Sequence, residues 1–147
     1  MCTKPNPSPN EHDLVFDSYS RILKKKDSLV CMEAPTLGRA IDLVLYRGRA
    51  LTSIEFKLKD WKRALKQARD HRLVADYAYV CMPSKSLTSE IEKGFKDAGV
   101  GLFFYVSKGK CPFKEVIPAP KSSEVWNAAR KRLIAYIKAQ PRTKTDE

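Results

Sequence analysis

The chain has 147 residues, and its 28 Lys and Arg exceed its 17 Asp and Glu by 11, so its surface field attracts polyanions at neutral pH. That length, with 43% hydrophobic content, suits one domain around a single core. No apolar run approaches the roughly 20 residues that span a bilayer, and residues 1–10, rich in Pro and Asn without an apolar core, do not read as a secretory signal.

Residues 1–10 carry three prolines and read as a flexible arm. Asn10 is placed to cap a first helix whose opening turn holds Glu11 and Asp13, acids that suit the positive helix end. Leu14, Val15, Tyr19, Ile22 and Leu23 form its apolar stripe, which ends in the basic run 24–26. A short apolar strand follows at 28–34, and 35–39 read as a loop. A second strand at 41–46, a turn at Arg47-Gly48-Arg49 and a third strand at 50–59 complete a meander. In the third strand Ile54, Phe56 and Leu58 share one face, so Glu55, Lys57 and Lys59 share the other.

Asp60 can cap a second helix that runs to about residue 74, with Trp61, Ala64, Leu65 and Ala68 on its apolar side. Lys62, Arg63, Lys66, Arg69 and Arg72 make much of its remaining surface cationic. Residues 77–82 form a β-prone run stopped by Pro83, and Ser89 with Glu92 has capping-box spacing for a third helix ending near Gly99. A strand at 100–106, a Lys108-Gly109-Lys110 turn, a short strand at 113–117 and an amphipathic helix over about 123–140 follow, with a flexible tail at 141–147. The core order α-β-β-β-α-β-α-β, plus a C-terminal helix, predicts one domain over 11–140: an α/β fold with a central mixed sheet flanked by helices.

Hydrolysis of a phosphodiester at neutral pH calls for a divalent ion that offsets phosphate charge and acidifies bound water. Hard cations take oxygen ligands and keep several waters, so two carboxylates and a backbone carbonyl make an adequate site. Asp42 and Glu55 can supply the pair. If Tyr46 pairs with Leu51, Asp42 lies opposite Glu55; if Tyr46 pairs with Arg49, the acids are diagonal neighbours on one face; a three-residue loop would separate them unless a bulge intervened. Lys57 shares Glu55's face, where its ammonium can orient attacking water and steady charge on the phosphate.

Ile41-Asp42, twelve intervening residues and Glu55-Phe56-Lys57 resemble the PD-(D/E)XK, or restriction-endonuclease-like, nuclease superfamily, and the core order resembles it too. Ile41 stands where that pattern has proline. The resemblance implies Asp42, Glu55 and the Phe56 carbonyl as metal ligands, Lys57 as the catalytic lysine, and magnesium, with manganese as substitute. Glu11 and Glu33 occupy positions where related nucleases often place another acid, and Glu33 is the better geometric candidate because its parity matches Asp42 across the 35–39 loop. Gln67 resembles a glutamine seen in several branches of the superfamily, suited to a phosphate or a metal-bound water. Lys59, Lys62, Arg63, Lys66, Arg69 and Arg39 are the expected phosphate contacts.

A Glu-x-Lys alone is ordinarily a solvated salt-bridging face; the spaced Asp42 and the basic helix favour a metal-dependent nuclease, acting on DNA by expectation, with a homodimer serving if two strands are cut. The alternative is a catalytically inactive nucleic-acid-binding or complex-forming module that keeps the fold. Cysteines 2, 31, 81 and 111 lack zinc spacing, and Cys31 and Cys81 lie in apolar runs as free thiols, which suits a reducing cytoplasm. His71 reads as a helix-surface residue, and Trp61, Trp126 and Tyr136 read as core rather than base-stacking groups.

Overall fold

The computed structural model describes residues 10–141, so the expected arm and tail fall almost wholly outside the described residues. Helix α1 spans Glu11–Leu23. Asn10 accepts the Asp13 N–H at 2.8 Å, and Asp13 accepts the Asn10 N–H at 3.1 Å, a reciprocal cap that satisfies two otherwise unpaired donors.

Strands β1 (Ser28–Thr36), β2 (Arg39–Arg47) and β3 (Ala50–Phe56) form the meander. Its turns are the dipeptides Leu37-Gly38, with φ of 45° and 78°, and Gly48-Arg49, with φ of 57° and 66°. Left-handed backbone at both central positions gives a turn whose twist matches that of the flanking strands. The loop expected at 35–39 thus shrinks to two residues. Pro35 does not break the pairing because β1 is an edge strand, where a residue without an N–H is tolerated. Strand β3, by contrast, stops three residues short of the expected alternation. Its last N–H turns to the Asp42 side chain, and Asp60, at φ 58°, redirects the chain into α2.

Helix α2 (Trp61–Asp70) continues into a 3-10 turn at His71–Leu73, and β4 is Tyr77–Met82. Helix α3 (Ser89–Ala98) is capped by Thr88 rather than Ser89: the Thr88 hydroxyl accepts the Ile91 N–H at 3.2 Å. Gly99 closes it at φ 69°. Strands β5 (Gly101–Tyr105) and β6 (Phe113–Ile117) precede α4 (Asn127–Ala139). The last helix starts later than expected because the segment before it is pinned as extended chain, Ser122 N–H to Asp76 C=O and Trp126 N–H to Leu73 C=O, each at 2.7 Å.

The six strands lie in the order β1-β2-β3-β4-β5-β6. The outer pairs are antiparallel, and β3-β4-β5 are parallel, the direction being set by the helical crossovers α2 and α3. Helix α1 covers one face, against Leu43, Ile54, Phe56 and Cys81. The other face is divided between α2 and α3, which cover Ala78, Val80 and Leu102, and α4, which covers Cys31, Val44 and Leu51. Cys31 and Cys81 are buried free thiols. Trp61 packs on Phe95 with ring centroids 6.2 Å apart, whereas Trp126, expected in the core, is 58% exposed at the start of α4. Among the described residues no helix is long and apolar enough to cross a membrane.

Candidate active site

The hairpin register decides what faces what. Arg47 pairs with Ala50, Tyr46 with Leu51 and Leu43 with Ile54, so one further step sets Asp42 opposite Glu55. Instead of continuing the ladder, the Asp42 carboxylate accepts the Phe56 N–H at 2.9 Å. The Phe56 carbonyl leaves the strand on that same edge, since a strand residue's N–H and C=O point the same way.

Glu55 is 8% exposed, and its Oε1 is buried with no hydrogen-bond partner. Burial, and next the charge of Asp42, push its carboxyl up to about 8. Burial also raises Asp42, with the charges of Glu11 and Glu33 adding to the effect, while its bond from Phe56 and the charge of Lys57 oppose it. Lys57, half-buried just beyond β3, draws down both acids.

Glu11 reaches this end of the sheet from the first turn of α1, where its Oε2 accepts the Leu58 N–H at 3.2 Å. Glu33 lies in β1 between the pairs Met32–Leu43 and Ala34–Ile41, which sets it across from Asp42. Its backbone is left-handed, φ 52°, and its side chain is exposed. Cys31 and Ala34 share the core under α4, as do Ile41 and Val44, so the alternation slips by one on both strands between them. Such an irregularity re-aims side chains, and here it falls on the two acids.

The donor set suits a hard divalent cation. One buried and one half-buried carboxylate, with an unpartnered oxygen on Glu55, and a carbonyl on the same edge are too few to enclose an ion, and the Lys57 ammonium has no lone pair to add. Indeed, no group of three His, Cys, Asp or Glu among the described residues is arranged to hold a metal unaided. An ion that keeps several waters needs no more than this.

Further buried polar atoms lack partners: Ser53 Oγ, on the same face as Glu55 two residues earlier, Gln67 Oε1 in α2 and His71 Nδ1 in the 3-10 turn. His71 is 4% exposed rather than on the helix surface, because at three residues after Ala68 and seven after Ala64 it continues the buried stripe of α2. Burial pushes its pKa down to about 4, with Asp70 opposing and Arg39 assisting, so the ring is neutral at pH 7. Ser53 was legible from parity with Glu55, but a serine in a strand carries no other signal.

Lys59, Lys62, Arg63, Lys66 and Arg69 are exposed. Arg39 forms an exposed pair with Asp70 at 3.3 Å, and Lys62 a looser one with Glu90 at 3.8 Å. Arg72 does not belong with them. Its guanidinium is turned inward, bonded to the Ala98 carbonyl at 3.3 Å and to Glu124 at 2.6 Å. A second buried acid, unforeseen in the sequence, is Asp76: it accepts the Leu51 N–H at 2.8 Å and a forked bond from Arg130 at 2.7 to 3.2 Å.

Neither protein-family models nor curated proteins yield a match to this sequence. A solved structure does: the crystal structure of an XisH family protein from Nostoc punctiforme, 14% identical, with a TM-score of 0.54 over 71% of this chain and 99% of that one. The shared feature is the fold. It is a mixed sheet flanked by helices, restriction-endonuclease-like in architecture.

Proposed function

We propose that this chain is a metal-dependent nuclease of the PD-(D/E)XK type that hydrolyses phosphodiester bonds, with DNA as substrate. The observation that carries the reading is the Asp42–Glu55 pair. Two acids from adjacent strands stand at opposed register positions, Asp42 half-buried and Glu55 buried with its carboxyl raised to about 8, and Lys57 is the cation that bears on both. Native proteins rarely bury like charges together unless a cation completes the site.

Asp42, Glu55 and the Phe56 carbonyl would hold magnesium, or manganese in its place, with Glu33 and Glu11 within the same electrostatic neighbourhood. When bound, such an ion supplies Lewis-acid polarisation of the phosphate and a more acidic water. Lys57 contributes a fixed positive charge that orients the attacking water and offsets charge on the phosphate oxygens. Gln67 offers a polar group from α2, while Lys59, Lys62, Arg63, Lys66, Arg69 and Arg39 grip the backbone on either side.

Purified protein should bind manganese in calorimetric titration, and Asp42→Asn should abolish that binding. Lys57→Ala should keep the metal but cut magnesium-dependent cleavage by about a hundredfold or more. A folded Lys57→Ala protein that cuts at the parental rate would remove the lysine from the chemistry. Salt-sensitive DNA binding without manganese uptake would make the chain a non-catalytic binder.

A further inference from the structure

Leu37 sits at the tip of the β1–β2 hairpin, 48% exposed and with φ 45°. Both facts count against leucine there. The position favours Asn, Asp or Gly, since a Cβ in left-handed backbone crowds the following carbonyl, and an exposed isobutyl group contributes nothing to the core. Strain at a surface tip points to a role in contact.

The tip borders a cleft of about 620 Å³ between this hairpin and α4, lined by Pro35, Leu37, Arg39, Arg132 and Tyr136. Pro35, Leu37 and the Tyr136 ring give its lining an apolar surface, and Arg39 and Arg132 add two guanidinium groups, that of Arg39 held only by its exposed pair with Asp70 at 3.3 Å. Arg39 stands three residues before Asp42 on β2, about 10 Å along the strand at some 3.3 Å per residue. Tyr136 packs with the α4-side core, on the face of the sheet that carries Val44 and Leu51.

Resting on the nuclease reading above, we infer that this cleft takes an unstacked base of the scissile strand, so that the preferred substrate contains single-stranded nucleic acid beside the cleavage point. Duplex keeps its bases stacked and offers the cleft only phosphates. A free strand can lay a base against Tyr136 and Leu37 while Arg39 and Arg132 hold the phosphates on either side, the combination of stacking surface and cationic edge that single-strand sites use.

The test uses fluorescence anisotropy with a labelled 15-nucleotide strand and its duplex, in chelator, on the full chain. The parental protein should bind the single strand at least tenfold more tightly. Leu37→Asn, which fits the left-handed turn better and should not weaken the fold, should lose roughly tenfold on the single strand and little on the duplex. Tyr136→Ala should do the same, and Tyr136→Phe should retain the preference. Equal affinities for the two forms, or an unchanged ratio in Leu37→Asn, overturn the inference. Manganese titration of the same proteins, in chelator-free buffer, keeps the two readings apart: intact metal binding with no strand preference defeats only the cleft, whereas absent metal binding defeats the nuclease.

Discussion

Asp76, just before β4, and Glu55, near the end of β3, are almost equally buried, 6% and 8% exposed, yet their acidities move in opposite directions. Burial pulls Asp76 upward as it does Glu55, but hydrogen bonds from Arg130 and the Leu51 N–H, with the charge of Arg130, more than offset it and hold the carboxyl below its ordinary value. Glu55 has a second acid where Asp76 has a guanidinium, and its carboxyl rises to about 8. One site is complete within the chain and ties α4 to the sheet. The other sets two acids against each other, with Lys57 offsetting their charge only in part.

The largest effect expected is at the complete site. Arg130→Met strands the Asp76 carboxylate with one backbone donor and should lower stability by about 3–5 kcal/mol in urea unfolding at pH 7. A loss below 1 kcal/mol would mean that water satisfies Asp76 and that the contrast between the two sites is weaker than drawn.

At the incomplete site the sign reverses. A carboxyl whose folded pKa lies above its unfolded value holds its proton longer in the folded state, so stability is full below about 4.5 and falls as pH rises to about 8. Glu55→Gln should remove most of that slope and stabilise the metal-free protein at pH 8 by roughly 3 kcal/mol. Thermal melts in chelator at pH 5 and pH 8 measure both terms. Asp76 acts oppositely, its contribution being present above its unfolded value, near 3.8, and lost as pH falls through the lower folded value.

The smallest effect concerns Glu11, whose charge reaches both acids from α1. Glu11→Gln keeps an acceptor for the Leu58 N–H and removes one negative charge, so a gain of about 0.5–1 kcal/mol at pH 8 is expected in the same melts. A loss of that size would show that the carboxylate's hydrogen bond to Leu58 outweighs its repulsion of the pair.

Much of this arrangement could be read from residue order. Period-two alternation in β3 set Glu55 on the face opposite Ile54 and Phe56, and the Arg47-Gly48-Arg49 turn narrowed the register to alternatives, one of which sets Asp42 opposite Glu55. The mixed sheet and its helical crossovers followed from element order. Most of what escaped was non-local or depended on backbone handedness. Asp76 and Arg130 are 54 residues apart and meet only once α4 has packed, so nothing in either neighbourhood announces the pair. His71 follows the buried Ala64 by seven residues and Ala68 by three, so it continues the buried stripe of α2, and the surface reading measures it against Gln67 instead. Pro35 looked like a strand breaker because its place on the outer strand was unknown.

That outer strand has one more consequence. The free margin of β1 is interrupted midway by Glu33, whose left-handed backbone takes it out of the ladder, and two residues later by Pro35, which has no N–H to offer. A strand from another molecule would find no unbroken row of donors and acceptors there. Self-association by sheet extension is thereby discouraged along this border, which leaves β6 as the edge with a continuous row of backbone groups to guard.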